Sequence, residues 1–581
     1  MAVTPTLRVE IQFTTGIWAH VTADVRAAPG IHVRYGINGN GPTDCVAETG
    51  ECTLSLRNDA GNSGGLVGYY SPLHANVRSG WTYGIPMQVV FSHPDDVAIS
   101  VSSITRSGTT ATVTTASAHG RATNDYMTIA GADQADYNGT WKITVTGGST
   151  FTFTVLVSAT TPATGTMTAR RAYVKHRGKV RMIDPDPGAY GPQNVQIVSY
   201  DGMRDLGETV LREVGLQTNA SESVCLTAVL DALPANSQPV ARSIDTGVDT
   251  YPYAFDDLQG GVQTLGVIQD IAVSSYMLIF MKGDGTFIAQ ARDTRALSAS
   301  AYTFNNVMHG LRVPSDLANV YNLVRITISK RTISAAATEE LYTMPTGASL
   351  EIPSNATITP FTDYSDPDDR QVAIGGSNVV TALVSGTHYA ANSAADGSGS
   401  DLSASITASL TAWASTAKWT LTNTAAQTAY IRTLKVVGKA LRRPGPQVFE
   451  SKSTQSYGTR PLELELKYQS DGRVAQSYAE YLENQYRTFS NQVGELELLG
   501  NYSTDFLTQV LAREPGDVIT VTEAQTGLSL IDAVIHSVEL DIVAGPIVRC
   551  RWGLARAAVF QPWLAGTVGR SEAGTTTIPG F

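Results

Sequence analysis

The period of the hydrophobic residues changes twice between Leu462 and Leu554, and this change constrains the fold more than any other feature. Leu462, Leu464 and Leu466 alternate with glutamates, which is the pattern of a half-buried strand. From about Asp471 to Phe489 the apolar residues follow a helical period, with Asp471 as the expected N-cap. The predicted stripe comprises Val474, Tyr478, Tyr481, Leu482 and Phe489, with Ala475 and Ala479 beside it.

The residues after this helix return to the period of a strand. A Glu-Pro-Gly-Asp turn at 514–517 leads into the β-branched residues 518–521. Two more strands are predicted at 533–540 and 547–554. Residues 446–560 therefore predict one β-barrel or β-sandwich that carries a single helix at 471–489.

The length of the chain requires several domains. A chain of 581 residues is too long for one core and should divide into roughly three to five domains. Its 52 glycines and 25 prolines, with many threonines, serines and valines and few long helical patterns, indicate a mainly β protein.

The N-terminal residues predict a second β-domain. Leu7, Val9, Ile11 and Phe13 alternate with polar residues, which indicates a first half-exposed strand. Further strands are predicted at 17–25, 31–35, 52–58 and 80–91. We assign this domain to residues 1–95 and 171–223, because its pattern resumes at Tyr173 after a stretch of different composition.

Several short motifs resemble those of one protein family. The motifs are Ser-Tyr-Gly-Thr-Arg at 456–460, Pro-Gly-Asp-Val-Ile-Thr-Val at 515–521, Val-Glu-Leu-Asp-Ile at 538–542 and Arg-Cys-Arg-Trp-Gly-Leu at 549–554. In this order they resemble the second tube-forming domain of the tail hub (baseplate hub) proteins of tailed bacteriophages. Residues 1–90 resemble the opening of siphophage minor tail and hub proteins, through Trp-x-x-Val-Thr-x-Asp-Val at 18–25, Cys-Thr-Leu-Ser-Leu-Arg-Asn at 52–58 and a later Gly-x-x-x-x-Val. The resemblance implies two tube-type β-barrel domains, each with a flanking helix.

Residues 96–170 predict an inserted module. Short threonine- and serine-rich strands alternate with Asn-Gly and Gly-Gly turns, which is typical of a small Ig-like β-sandwich. His119 lies beside a glycine and has no acidic or cysteine partner nearby in sequence. A role in the turn is therefore favoured over a metal or catalytic role.

The first domain is predicted to continue with two strands at 179–183 and 193–200. Asp184 and Asp186 lie between them, where a metal site is conceivable, but the adjacent prolines favour a rigid polar turn. Asp201 is the predicted cap of a helix. The stripe of that helix comprises Leu206, Val210, Leu211 and Val214.

Residues 224–330 predict an α+β domain, which in the resemblance corresponds to the central region of the hub proteins. A helix is expected from Asp257, with an inner face made of Val262, Leu265, Ile268 and Ala272. Two strands then flank a turn in which Asp284 precedes Gly285, the signature of a β-hairpin. A turn role for Asp284 is favoured over a catalytic one.

Residues 331–445 predict another small β-sandwich. The sequence at 419–441 indicates a hairpin, and 391–405 indicates a protruding loop. Asp363, Asp366, Asp368 and Asp369 form the densest acidic cluster. A weak Ca²⁺ site there stays open, although the spacing lacks the glycine and distal glutamate of an EF-hand. Residues 561–581 are glycine- and threonine-rich and predict an extended tail.

The net charge of -11 argues against a protein built to grip nucleic acid. Two basic stretches stand out. Lys439, Arg442 and Arg443 form a short one. In the longer one, Lys175, Arg177, Lys179 and Arg181 occupy every second position, which on a regular strand would place all four on one face. A solvated strand face is favoured over a phosphate-binding stripe.

No sequence motif indicates catalysis or a cofactor. The four cysteines, Cys45, Cys52, Cys225 and Cys550, lack the spacing of a zinc site and are predicted to be free, buried thiols. A disulfide between Cys45 and Cys52 is the alternative, which a reducing compartment disfavours. No zinc-protease motif occurs. We therefore predict no catalytic, cofactor-binding or metal-binding residue. Neither a secretory leader nor a long apolar run is present, so we expect a soluble protein made in the host cytoplasm.

The resemblance implies a structural virion protein at the tip of a phage tail, where it would form the hub through which DNA passes. Two tube domains per chain would let three copies match a six-fold tail tube. The implied partners are a distal tail protein, a tape measure protein, receptor-binding or fibre proteins and, indirectly, the host cell surface, with DNA passing without tight binding. The alternatives left open are a hexameric distal tail protein, another minor tail protein or a glycan-binding adhesin.

Overall fold

A computed structural model describes residues 3–188, 191, 193–314, 317, 319–336, 338–488, 493–543, 545–557, 561–563 and 577–579. Within these ranges strands dominate and form several sheets over several separate cores. The prediction of a mainly β, multidomain protein is confirmed. None of the described helices has the length and apolarity to span a bilayer. Phe489 and most of the tail predicted at 561–581 lie outside the described residues.

The N-terminal part of the chain contains one sheet and one inserted module. The first strands are β1 (Thr6–Thr14), β2 (Ile17–His20), β3 (Ile31–Gly36), β4 (Glu51–Arg57) and β5 (Pro86–Ser92). The module follows with β6 (Ile99–Ser107), β7 (Thr110–Thr115), β8 (Tyr126–Ala130), β9 (Gly139–Lys142), β10 (Thr144–Gly147) and β11 (Thr150–Thr154). The chain then returns through β12 (Thr168–Asp186) and β13 (Asn194–Tyr200).

The module packs around its own core, which includes Ile104, Val113 and Phe151. Strand β12 belongs to both units, because its first residues pair with β8 and its continuation from Tyr173 pairs with β5. Phe91 of β5 lies directly opposite Tyr173. The two ends of the module are therefore adjacent in the host sheet.

We expect the host sheet to fold without the module. Replacing residues 97–168 by a short Gly-Ser link would join β5 to β12 as a hairpin and leave the host core intact. The excised variant should be soluble and should assemble like the full chain, as measured by gel filtration with light scattering. Insoluble or unassembled product would contradict this expectation and would make the module part of the host core.

The middle of the chain forms an α+β unit with its own core. Its elements are α1 (Gly202–Glu208), β14 (Val210–Leu211), β15 (Gln217–Ser221), α2 (Glu222–Asp231), β16 (Ala241–Ile244), β17 (Thr250–Ala254), β18 (Val262–Gln263), α3 (Thr264–Ser275), β19 (Leu278–Met281), β20 (Thr286–Gln290) and α4 (Arg292–Leu297). Strands β19 and β20 form the predicted hairpin around 282–285.

Both helices predicted around this unit are shorter than expected. Asp201 caps α1 by accepting a hydrogen bond from the Met203 amide at 3.0 Å, as predicted. The helix ends at Glu208, however, because Val210 and Leu211 pair with β18 instead. Because of the same pairing, α3 begins at Thr264 and not at Asp257 as predicted. Val214 is buried in the core of the unit without belonging to a helix.

The following strands are β21 (Thr303–Asn305), β22 (Gly310–Arg312) and β23 (Leu323–Ile328). A sandwich then comprises β24 (Thr332–Ile333), β25 (Glu339–Thr343), β26 (Leu350–Ile352), β27 (Thr357–Ile358), β28 (Phe361–Asp363), β29 (Gly375–Ser377), β30 (Tyr389–Asn392), β31 (Ile406–Ala412), β32 (Thr416–Asn423) and β33 (Ala429–Arg442). The hairpin predicted at 419–441 is wrong, because β32 and β33 lie in different sheets. Trp419 and Ile431 instead contribute to the core that the two sheets share.

The last elements are β34 (Gln447–Lys452), β35 (Pro461–Leu466), α5 (Gly472–Tyr486), β36 (Glu495–Leu499), α6 (Thr504–Ala512), β37 (Val518–Glu523), β38 (Leu528–Val543), β39 (Ile547–Arg556), β40 (Gln561–Trp563) and β41 (Thr577–Pro579). As predicted, Asp471 caps α5, accepting from the Arg473 amide at 2.8 Å. Strands β40 and β41 pair in parallel.

The structure divides residues 446–560 between two sheets instead of placing them in one barrel. Strand β35 pairs in parallel with β23, which also pairs with β34. Helix α5 covers this small sheet, so that Leu464 and Tyr478 share a separate core. Strands β36 to β39 join β21 and β22 in another sheet. The split follows from the leucine face of β35, which α5 buries before the chain reaches β36.

A buried aspartate fixes both ends of the sandwich to the α+β unit. Asp256 Oδ1 accepts from Arg331 Nε at 2.8 Å, and its Oδ2 accepts from Arg443 Nε at 2.9 Å. Arg331 and Arg443 lie where the chain enters and leaves the sandwich. The side chains of Asp256 and Arg331 are 1% and 0% exposed. The carboxylate of Asp256 therefore anchors both segments that connect the sandwich to the α+β unit.

Candidate assembly interface

Two sheets in the chain have the same strand order. The first runs β1-β5-β12-β13-β4-β3, and the second runs β21-β37-β38-β39-β36-β22. The strands also follow one another along the chain in the same sequence. One difference is that β1 is antiparallel to β5, whereas β21 is parallel to β37. The chain thus contains an internal structural repeat.

The repeat extends to individual backbone hydrogen bonds. In the first sheet the Gly84 amide donates to the Val180 carbonyl at 2.7 Å, and the Val180 amide donates to Ile85 at 3.0 Å. In the second sheet the Gly516 amide donates to the Ile535 carbonyl at 2.8 Å, and the Ile535 amide donates to Asp517 at 2.9 Å. Both glycines have positive φ, at 81° and 90°, as these turns require.

Each long strand of the repeat contains a bulge at the same place. The pairing of β12 with β13 skips Arg181, and the pairing of β38 with β39 skips His536. Each skipped residue directly follows the equivalent Val180 or Ile535. Met182 in the first sheet therefore corresponds to Ser537 in the second.

The two sheets are joined by their edges. Strand β3 pairs antiparallel with the second half of β38, beyond the part that pairs with β37. The Ile37 amide donates to the His536 carbonyl at 2.7 Å, which sets the hydrogen-bonded pairs as Tyr35–Val538, Val33–Leu540 and Ile31–Ile542. One hydrophobic core runs under both sheets and contains Leu54 of the first and Trp552 of the second. We call this contact the intrachain joint.

Polar side chains line the half-exposed face of the joint. His32 Nδ1 lies 2.8 Å from Asp541 Oδ1, directly across the two strands. Glu539 accepts from Arg551 Nη1 at 2.8 Å. Ligand atoms of His32, Glu539 and Asp541 lie within 4.8 Å of one another, so these residues are the group that could hold a metal ion in the described chain. Their existing contacts already form an ion-pair and hydrogen-bond network across the joint.

Acid is expected to weaken the joint through His536. Burial, reinforced by Arg295, lowers the pKa of His536 from 6.5 to about 4, despite the hydrogen bond to the Gly39 carbonyl. The unfolded chain therefore takes up this proton near pH 6.5, and the folded chain does so only near pH 4. The free energy of unfolding is therefore unaffected by the protonation of His536 above pH 6.5, and it falls by about 2–3 kcal/mol as the pH is lowered toward 4.

The measurement is the free energy of unfolding of the parent and of His536→Gln at about pH 7 and pH 4.5. The substitution should flatten the pH dependence. Exposed His74 provides the control, because His74→Gln should leave the profile unchanged. Equal slopes for the parent and His536→Gln would contradict the expectation.

A buried ion pair pins the two sheets to the α+β unit. Lys175 is 0% exposed, and its Nζ donates to Glu514 Oε1 at 2.7 Å and to the Arg513 carbonyl at 2.9 Å. The other oxygen of Glu514 accepts from the Gly283 amide at 3.1 Å. Burial, together with Glu514, raises the pKa of Tyr35 well above its usual value. Three parts of the chain therefore meet at one carboxylate.

The basic residues of β12 do not form one solvated face. The pairing of β12 with β5 skips Lys175, so this bulge and the bulge at Arg181 interrupt the alternation. Arg177 lies over the Trp18 ring at 5.5 Å. Lys179 Nζ is 2.6 Å from Asp205, which also pairs with Arg181. Carboxylates thus neutralise three of the four predicted cations, Lys175, Lys179 and Arg181.

The other residues that the sequence singled out have structural partners or exposed positions. His119 is buried, with Nε2 3.0 Å from the Gly147 carbonyl. Burial alone would raise the pKa of Asp284, but Lys142 and hydrogen bonds from Thr286 and Tyr126 hold it below its usual value. Asp184 and Asp186 are exposed at the end of β12 and are not in a turn.

Three of the four aspartates in the acidic cluster of the sandwich pair with arginines. Asp366 accepts two hydrogen bonds from Arg442, at 2.7 and 2.9 Å, and Arg442 lowers the pKa of Asp366. Asp363 pairs with Arg212 at 2.8 Å. Asp369 accepts from the Gln371 amide at 3.1 Å. The cluster is therefore an ion-pair network in which Arg442 is the principal cation.

The four cysteines are free and buried, as predicted. Burial raises the pKa of Cys45, Cys225 and Cys550 to about 12 and that of Cys52 further. Their thiols are therefore protonated near neutral pH and poor nucleophiles.

The intrachain joint and the Asp256 contact were missed from the sequence. One signal could have indicated the repeat. A glycine followed five residues later by valine occurs at 84–89 and again at 516–521, and both segments open the equivalent strands β5 and β37.

No family model matches the chain, and no curated protein sequence matches it. Among solved structures, the chain is similar to the 43 kDa tail protein of prophage MuSo2 from Shewanella oneidensis, with 8% identity, a TM-score of 0.43 and coverage of 96% of this chain and 99% of that one. A tail protein from Neisseria meningitidis MC58 gives 8% identity, a TM-score of 0.43 and coverage of 95% and 96%. Prophage tail protein gp18 from Listeria monocytogenes EGD-e gives 8% identity, a TM-score of 0.38 and coverage of 94% and 94%.

Proposed function

We propose that this chain is a structural protein of a phage tail and forms the hub at its distal end, as a closed ring of three copies. The observation that carries the proposal is the internal repeat. Each chain contains two equivalent sheets already joined edge to edge, so three chains supply six equivalent sheets around an axis. Four of the tube-domain motifs, at 52–58, 515–521, 538–542 and 549–554, lie in or directly beside strands of these two sheets, whereas the motif at 18–25 forms β2 and the short helical turn after it, and the motif at 456–460 precedes β35 of another sheet.

The joint explains how such a ring could be continuous. Strand pairing satisfies the backbone groups at a sheet edge and leaves no exposed template for aggregation. Within the described residues, the pairing of β3 with β38 makes the second sheet continuous with the first. The sandwich and the module at 99–167 are not part of the two repeated sheets, and they can contact other tail proteins.

The copy number tests the proposal directly. Native mass spectrometry of the purified protein, or the symmetry of the tail tip in electron micrographs, should give three chains of 61.7 kDa per ring. Six chains per ring would overturn the hub assignment in favour of a distal tail protein. A stable monomer at the concentration found in assembly would overturn the ring.

We also expect no tight binding of duplex DNA. A conduit works best when phosphates are not held, because each neutralised phosphate adds salt-dependent affinity. The net charge of -11 and the carboxylate partners of Lys175, Lys179 and Arg181 fit this requirement. Fluorescence anisotropy at low and physiological salt should show no sub-micromolar binding at physiological salt. Tight and steeply salt-dependent binding there would contradict the passive channel.

A further inference from the structure

Each chain has two sheet edges whose equivalents are paired in the intrachain joint. In β12, residues from Met182 to Asp186 pair with β13 on one side and, in the described chain, with no strand on the other. In β22, Gly310–Arg312 pair with β36 on one side, again with no described strand on the other. The free edge of β12 corresponds to the part of β38 that accepts β3, and β22 corresponds to β3.

The register of an equivalent contact can be read from the repeat. The bulges align Met182 with Ser537, so Asp186 corresponds to Asp541. Following the pairing through β13 and β4, and through β39 and β36, aligns Arg312 with His32. His32 and Asp541 lie opposite each other in the joint. An equivalent contact therefore places Arg312 opposite Asp186.

We propose that β22 of one copy adds antiparallel to the free edge of β12 in the next copy, with Arg312 opposite Asp186. The proposal rests on the ring of the proposed function and names the surfaces that close it. Leu311 would then lie opposite Pro187, and Val313 opposite Pro185. These are the equivalents of the hydrogen-bonded pairs Ile31–Ile542 and Val33–Leu540.

The prolines give this contact a direction. The amide and carbonyl of Val180 point toward β5, so beyond the bulge at Arg181 the backbone groups of Ile183, Pro185 and Pro187 face the free edge. Proline carbonyls can accept but proline nitrogens cannot donate. Two β12 edges therefore cannot form a regular ladder with each other. The edge of β22 supplies the amides that this acceptor edge needs, which favours head-to-tail assembly.

Charge supports the same pairing. Among the described residues, Arg312 has no ion-pair partner, and neither Asp184 nor Asp186 has one. All three are exposed. Their equivalents in the joint, His32, Glu539 and Asp541, are engaged with one another or with Arg551. The incoming strand thus carries the cation that the acidic edge lacks.

A cysteine pair tests the register. Opposed residues without mutual hydrogen bonds lie about 4.5 Å apart at Cα, which permits a disulfide. The double variant Arg312→Cys with Asp186→Cys, oxidised in its assembled form, should give covalent species of up to three chains on a non-reducing gel. The native cysteines are buried and should not interfere. Each single variant, and Gln525→Cys with Asp186→Cys, should remain uncrosslinked.

Charge exchange gives a second readout. Arg312→Asp or Asp186→Arg alone should weaken association about tenfold, and the combined exchange should restore it. If the parent is a three-copy ring but the cysteine pair does not crosslink and the exchange does not restore association, this contact is wrong while the proposed function stands. If the parent protein forms a ring of six copies, or forms no ring, the proposed function is overturned instead.

Discussion

Replacing Asp256 with alanine is expected to cost about 3–5 kcal/mol of folding free energy, because it leaves the buried Arg331 without its counter-ion and removes one of the two carboxylates that pair with Arg443. Arg331 is completely buried and Arg443 is two-thirds buried, and both donate to this one carboxylate. The loss should appear as a lower midpoint in thermal or denaturant unfolding. Proteolysis should then cut near 331 and 443, where the chain enters and leaves the sandwich.

Asp270 provides the matched control. It is also an aspartate paired with a cation, Lys467, but its side chain is 35% exposed. Asp270→Ala should therefore cost about 1 kcal/mol or less. If Asp256→Ala unfolds at the same midpoint as Asp270→Ala, the carboxylate is not the anchor of the sandwich.

Glu514→Ala is expected to lower the free energy of unfolding by a similar amount. The substitution leaves the ammonium group of Lys175 buried without a charge partner, which costs about 3–5 kcal/mol. Pairing it with Lys175→Met removes the orphaned charge. The double variant should recover most of the lost stability, as measured by the free energy of unfolding.

The exposed residue Glu465 supplies the control for this experiment. Glu465→Ala should change stability by no more than about 0.5 kcal/mol, because its carboxylate lies on the solvent face of β35. A double variant no more stable than Glu514→Ala would show that the loss comes from packing and not from the charge on Lys175.

Features that depend on neighbouring residues were predicted from the sequence. The alternation of Leu462, Leu464 and Leu466 and the cap at Asp471 correctly placed β35 and α5, because both signals are local. The same locality explains the cap at Asp201 and the hairpin around Asp284.

Features set by distant contacts were not predicted. The stripe from Lys175 to Arg181 assumed an unbroken period of two, and two bulges break it. Residues 446–560 were grouped because they are contiguous, whereas two strands of their sheet, β21 and β22, precede the sandwich. Asp256 was not singled out from the sequence, since its partners Arg331 and Arg443 are remote in sequence.

The intrachain joint has a consequence for the newly made protein. His32 and Asp541, which face each other across it, are separated by 509 positions along the chain. At about 5–20 residues per second, the ribosome needs roughly 25–100 s to supply the second strand after the first has emerged. During that time β3 is an unpaired edge on a nascent chain, open to wrong partners. Rapid synthesis or a chaperone that shields this edge should therefore raise the yield of correctly folded protein.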